Sequence, residues 1–288
     1  MTDYLRLVRW KNLLIIGLTQ LFFIYLTKAQ FLEFKDIALI ISTLLTAAGG
    51  YVINDFYDLE ADKINKPNKV FIGKTIPKDH SRRFYFLLVI LALWIGYYAF
   101  GPNTTYILYI NVLLFLYSYR LKRWPLIGNI AVSICTAMVI YFLFITNPVI
   151  YLYLSNGVKK NSLMLLTNFT IFAFLISMVR ELIKDIEDID GDKKVGYKTL
   201  PIITNTITTK VLSIITIVLL NLAYWDYIQC MEYVSIIPKM GYYLILLSSL
   251  FLVYKIVKAN NKVDYSKISS YCKILMLVGM GTAVLWFI

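Results

Sequence analysis

Residues 84–119 read FYFLLVILALWIGYYAFGPNTTYILYINVLLFLYSY, without one Asp, Glu, Lys or Arg. The run is too long for one bilayer-crossing helix, which needs about 20 apolar residues. Gly101-Pro102-Asn103 interrupts it and reads as a tight turn between two antiparallel spans, 84–100 and 105–119. Comparable runs flank this pair at about 12–27, 37–54, 127–146, 163–180, 208–225, 240–256 and 272–288, so nine spans are expected. The charge-free stretches Val211 to Trp225 and Ile274 to Ile288 are short for a crossing, which requires flanking Lys and Arg side chains to reach toward the headgroups. Composition agrees: of 288 residues, 59% are hydrophobic and 16% charged, and mean hydropathy is +0.67. A soluble domain of this size carries roughly a quarter of its residues charged. The expected fold is an all-α polytopic membrane protein, one membrane-embedded domain over residues 1–288.

Three cysteines, Cys135, Cys230 and Cys272, make no disulfide framework, and the lone His80 cannot build a multi-histidine metal site. The net charge of +12 lies between the apolar runs, as at a membrane surface, so no nucleic-acid partner is expected. No obligate protein partner is evident either. With nine spans, 24 of the 29 basic residues fall on the side of the amino terminus, including Arg6, Arg9 and Lys11. The other side holds Lys28, Lys35, Lys159, Lys160 and Lys239. The positive-inside rule then puts the amino terminus in the cytoplasm and the carboxyl terminus outside. The first apolar run has no small-residue cleavage site and reads as a retained helix.

Acidic residues are concentrated where the apolar runs end. Of 17 Asp and Glu, four lie in 54–62 and six in 181–192. Asp55-x-x-Asp58-x-x-x-Asp62-Lys63 and Asp185-x-x-Asp188-x-x-x-Asp192-Lys193 share one spacing 130 residues apart, following the second and sixth runs. This is the pattern of a duplicated helical unit with one acidic site in each half. On a continuous helix, positions i, i+3 and i+7 share a face, so three carboxylates would repel one another at the helix end the macrodipole already makes negative. A hard divalent cation removes that penalty, and Mg²⁺ typically joins one or two carboxylates to a substrate's phosphates. Two acidic sets in a basic cytoplasmic rim therefore point to a diphosphate site. Acids that merely balance nearby lysines would not need a repeated spacing.

Asn54-Asp55-Phe56-Tyr57-Asp58-Leu59-Glu60-Ala61-Asp62 resembles the N-D-x-x-D-x-x-x-D signature of UbiA-type intramembrane prenyltransferases, and Asp185-x-x-Asp188-x-x-x-Asp192 resembles their second aspartate motif. The resemblance covers essentially the whole chain and implies a nine-helix UbiA-like bundle in the cell inner membrane, with its site on the cytoplasmic side. It implies catalysis by Asp55, Asp58, Asp62, Asp185, Asp188 and Asp192, with Mg²⁺ held by Asn54, Asp58, Asp62, Asp188 and Asp192. The segment Arg180 to Asp192, with Gly196-Tyr197-Lys198-Thr199-Leu200-Pro201, is most similar to the branch that geranylgeranylates geranylgeranylglyceryl phosphate. Three elements depart from the family pattern. Asn65-Lys66-Pro67-Asn68-Lys69-Val70 replaces N-x-P-x-R-P, so Lys69 stands as a point charge for a guanidinium fork. The Y-x-x-x-K element has altered spacing around Tyr117 and Tyr119, leaving Lys122 first and Arg123 second as the diphosphate-binding cation. Arg9-Trp10-Lys11-Asn12 replaces R-P-x-N. The implied substrate contacts are Asn54, Lys69, Lys122, Arg123, Arg9, Asn12, Lys184 and Lys198.

The implied chemistry suits these residues. A metal and cationic side chains stabilise a leaving diphosphate, and the membrane interior keeps the allylic cation dry. The implied partners are a prenyl diphosphate donor, a lipid-soluble acceptor and membrane lipid. An aromatic acceptor of quinone biosynthesis is the main rival to a prenyl-glyceryl phosphate. A secondary transporter is the rival of another class, but its carboxylates would sit near the bilayer midplane rather than at helix ends. Tyr57, between two motif aspartates, is read as a packing residue.

Overall fold

The computed structural model describes residues 2–28, 32–146, 160–229 and 236–286, and every regular element among them is a helix. The chain divides into two compact units, one of residues 1–131 and 190–197, the other of residues 132–189 and 198–288.

In the first unit, α1 (Thr2–Leu7) leads to α2 (Trp10–Lys28), α3 (Phe34–Tyr57), α4 (Leu59–Asn65), α5 (Lys78–Phe100) and α6 (Thr105–Tyr119). A reciprocal box starts α3: the Glu33 side chain accepts from the Asp36 amide, and the Glu33 amide donates to Asp36 Oδ2 at 2.9 Å. On α5 the buried stripe is Ser81, Tyr85, Leu88, Ala92, Gly96 and Ala99, three to four residues apart and packed on α3. Its other face presents Phe86, Leu87, Ile90, Trp94, Tyr97 and Tyr98 outward, where a soluble helix would present charge. That face matches a lipid solvent. Gly101, at φ 56°, donates its amide to the Tyr97 carbonyl and turns the chain into α6 as the sequence predicts. Two buried polar ties hold the helices: Asn111 donates to Thr46 Oγ1 and Gln20 to Thr43 Oγ1, both at 3.1 Å. Such ties contribute about 0.6–2 kcal/mol in lipid.

The second unit takes most of α7 (Ile127–Thr146) and is built on α8 (Lys160–Glu187). Around it lie α11 (Thr206–Gln229) and α13 (Lys262–Thr282), with α12 (Ile236–Lys258) against both of these; between α8 and α11 in sequence come α9 (Ile189–Lys194), which belongs to the first unit, and α10 (Leu200–Ile203). Buried Leu165, Leu166, Phe169, Ile176, Leu182 and Ile183 make α8 the core. Asn221 donates to Ser249 Oγ at 2.9 Å, joining α11 to α12.

A helix stands at each expected span. Five stretches are long and apolar enough to cross a membrane, one of them holding both α5 and α6, and Trp10–Leu26 and Ile127–Leu143 are shorter apolar helices. The chain is an integral membrane protein. Helix ends depart from the apolar runs where polar caps decide them. α13 starts at Lys262, well before the expected 272, because Asn261 Oδ1 accepts from the Asp264 amide at 2.9 Å. Residues 287 and 288 of that span lie outside the described residues.

Candidate functional site

Both aspartate motifs carry the same backbone break, which spacing alone did not reveal. α3 ends at Tyr57 and α4 begins at Leu59; α8 ends at Glu187 and α9 begins at Ile189. Asp58 and Asp188 are the joints, and each still donates its amide to the carbonyl four residues back, Asn54 and Lys184, at 2.9 Å. The expected continuous helix is thus divided in each motif, and the third aspartate rides on a separate short helix, although in the first motif Asp55, Asp58 and Asp62 all still act on Lys122. Asp58, at φ −91° and ψ 4°, lies outside regular helix geometry, so Asp62 is not aligned with Asp55 by one uninterrupted spiral.

Around the first motif, cations arrive from far along the chain. Arg9, at φ 53°, lies in the left-handed region between α1 and α2, a strain of roughly 1–3 kcal/mol for a non-glycine residue. Its carbonyl accepts the Asn12 amide at 2.7 Å, fixing the turn. The guanidinium donates to Asp55 Oδ1 at 2.7 Å and lies 4.9 Å from the Tyr51 ring centre. Burial pulls the Arg9 pKa down, but Asp55, Tyr51 and Asp62 outweigh it and hold the value above the ordinary one. Lys122, in the 3₁₀ turn Leu121–Arg123 after α6, is almost fully buried and places Nζ 2.6 Å from Asp58 Oδ1. Burial lowers the Lys122 pKa despite opposition from Asp58, Asp62 and Asp55. Lys122 rather than Arg123 thus meets a motif carboxylate. Arg123 instead stands 5.4 Å from the Tyr197 ring centre.

Tyr197 was not singled out from the sequence. Its hydroxyl points to Asp58 Oδ1 at 3.5 Å, a long hydrogen bond, and burial with the nearby Asp58 and Asp192 pushes its pKa up to about 12 against the pull of Arg123. The first unit thus gathers Asp55, Asp58, Arg9, Lys122 and Tyr197, and it also contains Asp62 and Asp192. The Asn54 side-chain oxygen is buried and accepts no hydrogen bond among the described residues. Tyr57 packs edge-on against Phe115 and Tyr119, as a packing residue should.

A local ion cluster precedes the second motif. Buried Glu181 accepts from Arg180 at 2.5 Å and from Lys184 at 3.0 Å, one turn before Asp185. Asp185 and Asp188 belong to this second unit and Asp192 to the first. Lys198 is exposed just after the first unit's segment ends. Lys69 closes the 3₁₀ turn Pro67–Lys69, and its side chain lies outside what the structure describes.

Among the described residues no three His, Cys, Asp or Glu side chains form a ready metal cage. The donor set nevertheless fits Mg²⁺, which takes hard oxygen ligands, keeps several waters and relies on one or two carboxylates plus substrate phosphates. Asp58, Asp62 and Asp192 would offer carboxylates, and the buried Asn54 oxygen, which has no hydrogen-bond partner among the described residues, would offer a neutral donor.

The UbiA prenyltransferase family matches residues 16–278. The digeranylgeranylglyceryl phosphate synthase of Methanosphaera stadtmanae is 32% identical over 241 residues, covering 81% of each chain. A solved structure of a digeranylgeranylglyceryl phosphate synthase superposes with a TM-score of 0.70 at 24% identity, over 98% of this chain and 96% of the other. A UbiA homolog from Archaeoglobus fulgidus bound to DMAPP and Mg²⁺ gives a TM-score of 0.65 at 16% identity, over 98% and 99%.

Proposed function

This chain belongs to the UbiA prenyltransferase family, and from that membership we propose that it transfers a geranylgeranyl-like group from its diphosphate to geranylgeranylglyceryl phosphate or a related prenyl-glyceryl phosphate. The observation that carries the chemistry is the pairing of two motif carboxylates with distant cations, Arg9 with Asp55 and Lys122 with Asp58, beside the unpartnered Asn54 oxygen. A diphosphate needs what this cluster contains: oxygen ligands for a cation and buried positive charge for its own oxygens.

Asp58, Asp62, Asp192 and Asn54 would hold Mg²⁺, and the repeated spacing assigns Asp185 and Asp188 the same ligand chemistry. When bound, Mg²⁺ supplies the Lewis-acid neutralisation that makes a diphosphate a good leaving group. The chain's own cations do the rest. Lys122, beside Asp58, and Arg9, beside Asp55, are the buried donors that would meet the diphosphate oxygens. Lys69 is assigned to the diphosphate by the motif resemblance alone, Arg123 extends the positive rim, and Asn12 secures the Arg9 turn. As the allylic C–O bond breaks, the acceptor hydroxyl attacks the cation and its proton leaves to diphosphate or water. Tyr197, whose pKa near 12 keeps it protonated at neutral pH, donates a hydrogen bond rather than acting as the base.

The acceptor rests on the likeness to named synthases, with Arg180, Lys184 and Lys198 as cations for a second phosphate. The membrane reading is nine crossings, with the amino terminus and site cytoplasmic, the carboxyl terminus outside, and residues 1–288 acting as one prenyltransferase domain. Cysteines placed at exposed Asn68 and Asn260 should label from the cytoplasmic side, and at Gln229 from the other, in a background lacking Cys135, Cys230 and Cys272. The function itself is tested with purified protein, Mg²⁺ and geranylgeranyl diphosphate, offered geranylgeranylglyceryl phosphate or 4-hydroxybenzoate. The expected product by mass is the doubly prenylated glyceryl phosphate. Faster prenylation of the aromatic acid overturns the acceptor.

A further inference from the structure

The Gly191 amide donates to Asn65 Oδ1 at 2.9 Å, the two residues standing 126 positions apart in sequence and both buried in the first unit. Asn65 is the last residue of α4, one turn after Asp62; Gly191 immediately precedes Asp192 on α9. The contact leaves no room for a side chain at 191. A Cβ there would come within 2.5 Å of Asn65 Cγ and 2.7 Å of the Ala61 carbonyl oxygen. Ala61 is the position in the first motif that corresponds to Gly191 in the second, so the repeats meet at equivalent sites and only one keeps its methyl group. The same short segment is tied again further on, where Tyr197 donates its amide to Asp192 O at 2.9 Å and its hydroxyl to Asp58.

We infer that Asn65 and Gly191 form a clip that sets the position of Asp192 relative to Asp62, and that Asn65 is thereby a positioning residue for the metal ligands. The inference rests on the metal–diphosphate reading above. Without the clip, α9 keeps its helix but loses its register on α4, and Asp192 is no longer presented where Asp62 can share a cation. Partners that orient metal ligands typically carry about 10–100-fold in affinity.

The test measures Mg²⁺ binding by calorimetry in the presence of a non-ionising thiolodiphosphate analogue of the donor, with thermal unfolding recorded in chelator. Binding by the wild type tests the metal–diphosphate reading; the variants test the clip. Asn65→Ala should weaken Mg²⁺ binding about 10-fold or more. Asn65→Asp keeps an acceptor oxygen in place and should recover to within ~3-fold of wild type, because the Gly191 hydrogen bond is retained. Both variants should unfold alike in chelator, which separates positioning from stability. Gly191→Ala should match or exceed the Asn65→Ala loss, and if it fails to fold the two Asn65 variants decide. Wild-type binding in Asn65→Ala, or an Asn65→Asp loss as deep as that of Asn65→Ala, overturns the clip.

Discussion

The two aspartate motifs have the same spacing and the same helix break at the middle aspartate, yet the ion pairs seen beside them come from different places in the chain. The first draws its cations from distant elements, Arg9 before α2 and Lys122 after α6. The second sits one turn beyond a cluster in which Glu181 pairs with both Arg180 and Lys184. Where partners are distant, the carboxylate and the cation can separate and each engage a ligand, since neither is held by its neighbours in sequence. Where partners are adjacent on one helix, the cluster is fixed with the helix and is suited to presenting charge rather than exchanging it.

The largest effect that could break this comparison comes from the joints. Asp58→Ala and Asp188→Ala should each reduce turnover at least ~10³-fold with the protein still folded, because each removes a ligand needed for leaving-group departure. If one motif tolerates the change, the two do not share a chemistry. Next, the cations should differ. Lys122→Ala should lower kcat/KM for the donor by about 10²-fold, since it strips a buried carboxylate of its partner and the diphosphate of a donor. Lys184→Ala should cost under ~10-fold on the donor side, because Arg180 still pairs Glu181, with its main effect on acceptor KM. Steady-state kinetics varying each substrate separates these, and equal donor losses would erase the proposed asymmetry. The smallest effect belongs to Tyr197→Phe, expected to cost about 2–5-fold, in keeping with a single long hydrogen bond. Its pH–rate profile up to pH 9 should overlay that of the wild type, because burial pushes the hydroxyl pKa up to about 12; a rate that rises toward pH 9 in the wild type alone would make Tyr197 a base.

Much of the fold was legible because lipid imposes a coarse rule: charge-free runs become helices, and Gly101-Pro102-Asn103 can only turn. The aspartate motifs were legible through their repeat. What spacing could not reveal was the break at Asp58 and Asp188, since a joint that keeps its i to i−4 hydrogen bond leaves no proline or glycine to mark it. The choice of Lys122 over Arg123 depends on which side chain a 3₁₀ turn buries, and the Arg9 contact on a left-handed residue without a glycine cue. Asn65 and Gly191 carried a faint signal: the glycine replaces the alanine of the first repeat, a difference that acquires meaning only when the Ala61 carbonyl is seen beneath it.

These carboxylates are proposed to act through a divalent cation on a prenyl diphosphate. The most direct measurement is diphosphate release by the purified wild-type protein from geranylgeranyl diphosphate in the presence of geranylgeranylglyceryl phosphate, with Mg²⁺, with excess chelator, and with Mg²⁺ restored. The account expects release matched one for one by ether-lipid product, abolished by chelation and recovered on adding Mg²⁺ back. Undiminished release and product formation in excess chelator would contradict it.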